Sequence, residues 1–248
     1  MSPIRTIRFR SFLTRLAHLC FLPALLAGPR PAAAAAIQLG WNDCGFATAR
    51  GKSFSCGTTT GTDVLVASFI PPGGMNQFLG LVGTLEVQTA QSTLPPWWEL
   101  QGPGACRAGS LSASFDFAGY AGCADFWASR NVMGGMSYDA QYEGANRGRI
   151  RVICAVPEDQ RGPVAANSEF YAFRLSFNHA KSSGAGACAG CAEPACISLT
   201  AMLLSQPAGV GDHTLTASGG NALVTWQGGT CASATRTGTW GKLKSIYR

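Results

Sequence analysis

The sequence predicts an all-β fold, a single β-sandwich or jelly-roll-like domain cross-linked by disulfides. Short segments in which apolar and polar residues alternate recur along most of the chain, and glycine-rich turns separate them. Nine of the ten cysteines follow residue 36. The segments do not alternate with helical patterns, as a parallel α/β sheet would require, and no linker divides the chain. We therefore expect one domain over residues 37–248.

The first 36 residues have the composition of a secretory signal peptide. Four arginines and no acid lie within the first 15 residues, an apolar stretch covers 16–28, and an alanine run over 32–36 offers a cleavage site. The apolar stretch is too short to span a membrane as a stable helix. We expect cleavage near Ala36 and export to the periplasm, the cell surface or the medium, with no transmembrane segment in the mature chain.

Removal of these residues changes the charge of the protein. The full sequence carries 19 basic and 13 acidic residues, a formal net charge of +6. Five arginines and none of the acids lie in the signal, so the mature chain has 14 basic against 13 acidic residues. Because this balance leaves no broad basic surface to attract a phosphate backbone, the sequence predicts no nucleic-acid partner.

Eight segments have the composition or the alternation of β-strands. They cover residues 64–70, 78–87, 111–117, 150–156, 171–177, 197–204, 213–217 and 222–226. The last two are predicted to form a hairpin through the turn 218–221. Only residues 123–132 have roughly helical spacing, and they predict no more than a short helical turn.

The cysteine spacing predicts four disulfides and one free thiol, since exported proteins mature in an oxidising compartment. Local pairing is the simplest assignment for Cys44–Cys56 and for Cys106–Cys123, because each pair brackets a loop of turn-forming residues. Cys154 lies inside an apolar run and is predicted to be a buried, inert free thiol.

The other four cysteines form a second group with three possible connectivities. We favour Cys188–Cys196 with Cys191–Cys231, since a Cys188–Cys191 bridge would close a very tight loop. The alternatives are a zinc site, in which Cys188, Cys191, Cys196 and Cys231 supply four thiolates, and a redox-active Cys-x-x-Cys. Both alternatives need reduced thiols, so disulfides are the preferred interpretation.

No catalytic constellation is evident in the sequence. His179 and His213 are interpreted as surface residues at strand ends, and the chain has no G-x-S-x-G, H-E-x-x-H or P-loop motif. We therefore expect no cofactor and favour a protein that is not an enzyme. A carboxylate pair for glycoside hydrolysis remains open. The available acids are Glu86, Glu99, Asp116, Asp125, Asp139 and Glu143.

A pair of tryptophans next to two prolines is the strongest indication of a ligand site. Trp97 and Trp98 follow Pro95-Pro96 and precede Glu99. An indole on a rigid segment can stack on the apolar face of a sugar ring while a polar neighbour bonds the hydroxyl groups. The sequence therefore suggests Trp97, Trp98 and Glu99 as glycan contacts. The alternative is that the rings pack in the core.

Several motifs are spread over the predicted mature chain. They are Trp41-Asn42-Asp43-Cys44, Pro96-Trp97-Trp98, Gly186-Ala187-Cys188-Ala189-Gly190-Cys191, Thr225-Trp226-Gln227-Gly228-Gly229 and the segment Trp240–Arg248. In these motifs the chain resembles a group of exported bacterial proteins to which no activity is assigned. The resemblance implies export, a shared fold and eight cysteines without a counterpart of Cys154. It implies no substrate and no catalytic residue.

These observations together predict an exported, non-enzymatic protein that acts by binding or as a structural component of the surface. A glycan is the leading ligand class, and components of the cell envelope are the other expected partners. The alternative is a secreted hydrolase with a carboxylate pair, and the third possibility is a zinc protein with the four-cysteine site.

Overall fold

The computed structural model describes residues 34–45, 48–73 and 75–231. Most of the predicted signal peptide and the motif Trp240–Arg248 lie outside the described residues. Strand pairing begins at Ala36, which lies opposite Ile70. In the described part, no helix is long and apolar enough to cross a membrane.

The described strands, numbered in chain order, form two sheets packed face to face. The first sheet has the order β1 (Ala36–Trp41), β3 (Thr62–Ile70), β8 (Phe170–Asn178) and β5 (Leu111–Ser114). The second has the order β2 (Gly51–Lys52), β11 (Leu223–Trp226), β9 (Ala195–Ser205), β4 (Gly80–Thr89), β7 (Arg147–Ala155) and β6 (Met133–Ala140), and β10 (His213–Thr216) pairs with β9. Short 3-10 turns cover Pro96–Trp98, Glu158–Gln160 and Gly220–Ala222.

This architecture confirms the predicted all-β sandwich. The two sheets approach closely where Gly83 of β4 faces Phe173 of β8, because a Cβ at Gly83 would collide with Cε1 of the ring. Glycine is thus required at this point of the interface. The inward residues of β8 are buried to their full extent, as the period-two pattern of residues 171–177 predicts.

The predicted hairpin of the last two strands is wrong. β10 and β11 do not pair with each other, and both pair with the same edge of β9. β9 is long enough for this arrangement, since β11 covers Ala195–Ser198 and β10 covers Ala201–Leu204. The chain between them steps through Gly220–Ala222, where Ala222 is buried, instead of making a tight reversal. Residues 123–132 form turns and no helix.

Four disulfides form, but none has the predicted partners. The bonds are Cys44–Cys123, Cys56–Cys191, Cys106–Cys188 and Cys196–Cys231. The predictions Cys44–Cys56, Cys106–Cys123, Cys188–Cys196 and Cys191–Cys231 are wrong because pairing follows the contacts between distant loops, not distance along the chain. One loop after β8 carries both members of the Cys-x-x-Cys motif, and each member is bonded to a different segment.

The zinc alternative fails for the same reason. Cys188, Cys191, Cys196 and Cys231 are all in disulfides, so they offer no thiolates to a metal. Cys154 is the unpaired cysteine of the described residues, and it is buried in β7 as predicted. Burial raises the pKa of its thiol well above the usual range, which keeps it protonated and unreactive.

A buried arginine holds the loop after β8 against the loop before β5. The Arg107 guanidinium donates to the carbonyl oxygens of Ala180 (3.0 Å), Trp97 (3.1 Å) and Asn178, and it stacks on the Trp97 ring at 3.6 Å. Burial lowers the pKa of Arg107 to about 10, so the side chain stays charged at neutral pH. One cation thus satisfies three backbone acceptors from two segments.

Arg107→Ala is expected to lower the free energy of unfolding by about 3 kcal/mol, because it leaves buried carbonyl groups without donors and opens a cavity. Urea unfolding followed by tryptophan fluorescence measures the change. Arg161→Ala, which removes an exposed arginine, is the control and should cost less than about 0.5 kcal/mol. An equal, small loss in both variants would contradict the role assigned to Arg107.

Candidate functional site

The tryptophans suggested as glycan contacts lie in the core. Trp97 is 1% exposed and Trp98 is 0% exposed, and both rings pack against Trp226. The Trp97 indole N–H donates to Oγ of Ser182 at 3.2 Å. Glu99 is half-buried, and one of its oxygens accepts from the Cys106 amide at 3.5 Å. The prediction that Trp97 and Trp98 touch a ligand is therefore wrong for the folded protein, because the turn that carries them directs both rings inwards.

A different concave site lies between the end of β5 and the start of β6. It is an open groove of about 670 Å³, lined by residues of three segments, 113–117, 125–130 and 132–134. The chain between β5 and β6 packs against β8, where Ala124 forms a parallel bridge with Phe170, and the Cys44–Cys123 disulfide fixes it. Trp127 anchors the same segment, since its indole N–H donates to the carbonyl oxygens of Tyr171 and Ala172.

One part of the groove lining is apolar. The half-buried ring of Phe115 covers Gly134, where a Cβ would lie 2.6 Å from Cε2 of the ring. Phe117 stacks on Tyr171 with ring centroids 4.3 Å apart. Met133 lies at the edge of the groove with 77% of its surface exposed. Because Phe117 is buried, Phe115 and Met133 provide the apolar surface that a flat ring can contact.

The other part of the lining is charged. Oδ1 of Asp116 accepts from the Ala118 amide at 2.9 Å, and Oδ1 of Asp125 accepts from the Trp127 amide at 2.8 Å. Within the described residues, the second oxygen of each carboxylate has no hydrogen-bond partner. Arg130 also lines the groove and donates through Nε to the Gln160 carbonyl at 3.1 Å. In each carboxylate, one oxygen thus accepts a backbone amide of the loop, and the other oxygen is available to accept from a ligand.

Of the acids considered for catalysis, Asp116 and Asp125 line the groove. Glu86 and Asp139 instead face the outside of the second sheet, where Arg147 and Arg149 pair with them at 3.9 and 2.6 Å. Glu143 is exposed in the turn after β6. Sequence reasoning missed the groove because Asp116 and Asp125 come to line the same site only when the loop between β5 and β6 has folded. The available signal was weak, since the two positions share only an Asp-Phe dipeptide.

His179 and His213 are in different environments. His213 is half-exposed at the start of β10, in keeping with its interpretation as a surface residue. His179 is buried, so its interpretation as a surface residue is wrong. Its Nε2 lies 2.5 Å from Asp63, whose other oxygen accepts from Lys52 Nζ at 2.7 Å. Because Lys52 and His179 are both bonded to the Asp63 carboxylate, we assign the three groups to the stability of the sandwich.

Comparison with known proteins gives no further guide to this groove. No protein-family model matches the chain, and no curated protein matches it either. Function must therefore be argued from the chemistry of the surfaces. The groove between β5 and β6 combines apolar, acidic and basic side chains, and at about 670 Å³ it is larger than the depression of about 380 Å³ lined by Gly135 and Ile153.

Proposed function

We propose that this protein is an exported, non-enzymatic binding protein and that a glycan is the ligand of the groove between β5 and β6. The observation that carries the proposal is the lining, in which the half-buried Phe115 lies beside Asp116 and Asp125. Sugar rings offer an apolar face for stacking and hydroxyl groups that donate to carboxylate oxygens. The volume of about 670 Å³ is in the range of small-ligand sites and would accept one or two sugar rings.

Export is supported by two independent features. The basic and apolar start of the sequence has the order of a secretory signal, and eight cysteines of the described residues form disulfides. Disulfides persist in oxidising compartments and are rare in the reducing cytosol. We therefore propose an address in the periplasm, at the cell surface or in the medium, where glycans of the envelope are accessible.

Asp116→Asn is expected to weaken glycan binding about five- to tenfold. Asparagine keeps the acceptor for the Ala118 amide but loses the charge that strengthens bonds from sugar hydroxyl groups, a difference of about 1–1.5 kcal/mol. Binding is measured by retention on immobilised polysaccharides, followed by calorimetry with the best oligosaccharide. Glu143→Gln, which neutralises an exposed acid at the opposite end of β6, is the matched control and should leave binding unchanged.

Equal binding by the two variants would contradict the proposed groove, and no retention on any polysaccharide would contradict the glycan. The same variants test the second candidate function, a hydrolase with Asp116 and Asp125 as the carboxylate pair. That function predicts turnover of an oligosaccharide that both Asp116→Asn and Asp125→Asn abolish. We favour binding because Oδ1 of Asp125 already accepts two backbone amides, those of Trp127 and Ala128.

A further inference from the structure

The strand β6 forms one edge of the second sheet. Its eight residues pair with β7 without a register shift, and no described segment pairs with its other side. β6 contains neither lysine nor proline, the residues that usually protect an edge strand from pairing. The edge strands β5 and β2 have only four and two residues. Among the described residues, β6 therefore leaves a regular row of backbone donors and acceptors without a partner strand.

The outward residues in the middle of β6, Gly135 and Ser137, are small, which leaves the next strand accessible from beyond the edge. Gly135 lies opposite Ile153 of β7, and Ser137 lies opposite Arg151. A depression of about 380 Å³ results, lined by these residues together with Val82 and Met136. Ile153 is 58% exposed, a high value for isoleucine in the middle of a sheet.

The charge at this depression is positive and uncompensated. Arg151 is exposed, and none of the described carboxylates lies within ion-pair distance of it. The neighbouring arginines of β7 differ in this respect, since Arg149 pairs with Asp139 and Arg147 with Glu86. An apolar and a cationic side chain thus lie two residues apart on β7, behind the small residues of β6.

We propose that β6 binds an extended segment of a partner polypeptide as an added strand. In this complex an apolar side chain lies opposite Gly135 against Ile153, and an acidic side chain lies opposite Ser137 against Arg151. The backbone of the segment satisfies the free edge, while the alternate side chains give specificity. This proposal does not depend on the glycan proposal, since the depression uses Gly135, Met136 and Ser137 of β6, whereas the groove uses only Met133 and Gly134 of that strand.

A second copy of this chain fits the depression less well. In β6 itself the acid is Asp139, which Arg149 already holds at 2.6 Å. The residues two positions away from it are Ser137 and Gln141, and both are polar. Pairing of β6 with its own copy would therefore not supply an apolar and an acidic side chain at alternate positions. A glycan is disfavoured too, because it lacks the regular backbone groups that a free edge strand pairs with.

The test uses the exported chain labelled with ¹⁵N and two synthetic peptides. The first peptide is a run of threonines with one glutamate and, two residues later, one isoleucine, the order that antiparallel pairing opposite Ser137 and Gly135 requires, and the second has lysine in place of glutamate. We expect the amide chemical-shift changes on peptide addition to concentrate in β6. The glutamate peptide should bind about two- to fivefold more tightly than the lysine peptide, the range for a cross-strand ion pair. Arg151→Glu, a surface change, should reverse the preference.

Several results would overturn the proposal. One is the absence of shifts in β6 at millimolar peptide, and another is equal affinity for the two peptides in the unmodified protein. Amide chemical-shift changes confined to the groove around Asp116 would show that the peptide binds in the groove and not at β6. Self-association in sedimentation experiments without peptide, abolished by Gly135→Lys, would show that a second copy occupies the edge. Arg161→Glu, an exposed charge change away from β6, is the control and should not alter the preference.

Discussion

Trp226→Ala is expected to lower the free energy of unfolding by about 3–5 kcal/mol and the melting temperature by roughly 6–20 °C. Trp226 is 0% exposed and lies at the centre of an aromatic cluster between the two sheets. Its ring centroid lies 3.6 to 6.3 Å from those of Phe54, Trp97, Trp98, Trp41 and Phe177. Removing the indole therefore leaves a large cavity whose walls come from both sheets and cannot all move inwards.

Trp226→Phe separates the contribution of the ring from that of its N–H group. The indole N–H donates to the Cys191 carbonyl at 2.8 Å, and phenylalanine loses this bond while keeping most of the contacts. We expect a loss of about 1–2 kcal/mol for this variant. Calorimetric melting of both variants measures the difference. A loss for Trp226→Ala no larger than that for Trp226→Phe would show that the cluster collapses around the missing ring.

The regular strands of the core could be predicted from the sequence because their pattern reflects burial directly. Tyr171–Phe177 alternates with period two, and β8 buries its inward residues between the sheets. β6 was not predicted, since Gly134-Gly135 lowers its strand propensity and its outward face is solvated. β6 forms because it pairs with β7, and the local sequence of β6 does not show which strand will lie beside it.

The candidate site could not be predicted because it depends on where loops cross. Trp97 and Trp98 had the composition of a ligand platform, yet they fill the core because the sandwich needs large rings at its centre. Asp116 and Asp125 line one groove only after the chain between them has folded against β8, where Ala124 pairs with Phe170. Both outcomes are set by tertiary packing, which overrides the local pattern on which the sequence argument relied.

The double variant Cys56→Ser/Cys191→Ser is expected to lose about 2–5 kcal/mol of stability. The bond joins residues 135 positions apart, so its removal restores a large conformational entropy to the unfolded chain. The bond also holds together two packed loops, whose carbonyl oxygens at Phe54 (3.0 Å) and Cys191 (3.3 Å) both accept from Nε2 of Gln227. Without the bond, we expect the two loops to separate and these hydrogen bonds to weaken. Urea unfolding of the oxidised protein measures the loss. Cys154→Ala, which removes a thiol without breaking a bond, should cost about 1 kcal/mol.

Peptide mapping without reduction decides whether the loss has this cause. It should recover Cys56 with Cys191 and Cys106 with Cys188, and alkylation should label Cys154 only after unfolding. Recovery of a Cys188–Cys191 or Cys44–Cys56 peptide would contradict the fold in this region. The two bonds from the Cys-x-x-Cys loop hold two other loops of the sandwich. Mild reduction should therefore loosen all three loops together, while the strands of the core retain their hydrogen-exchange protection.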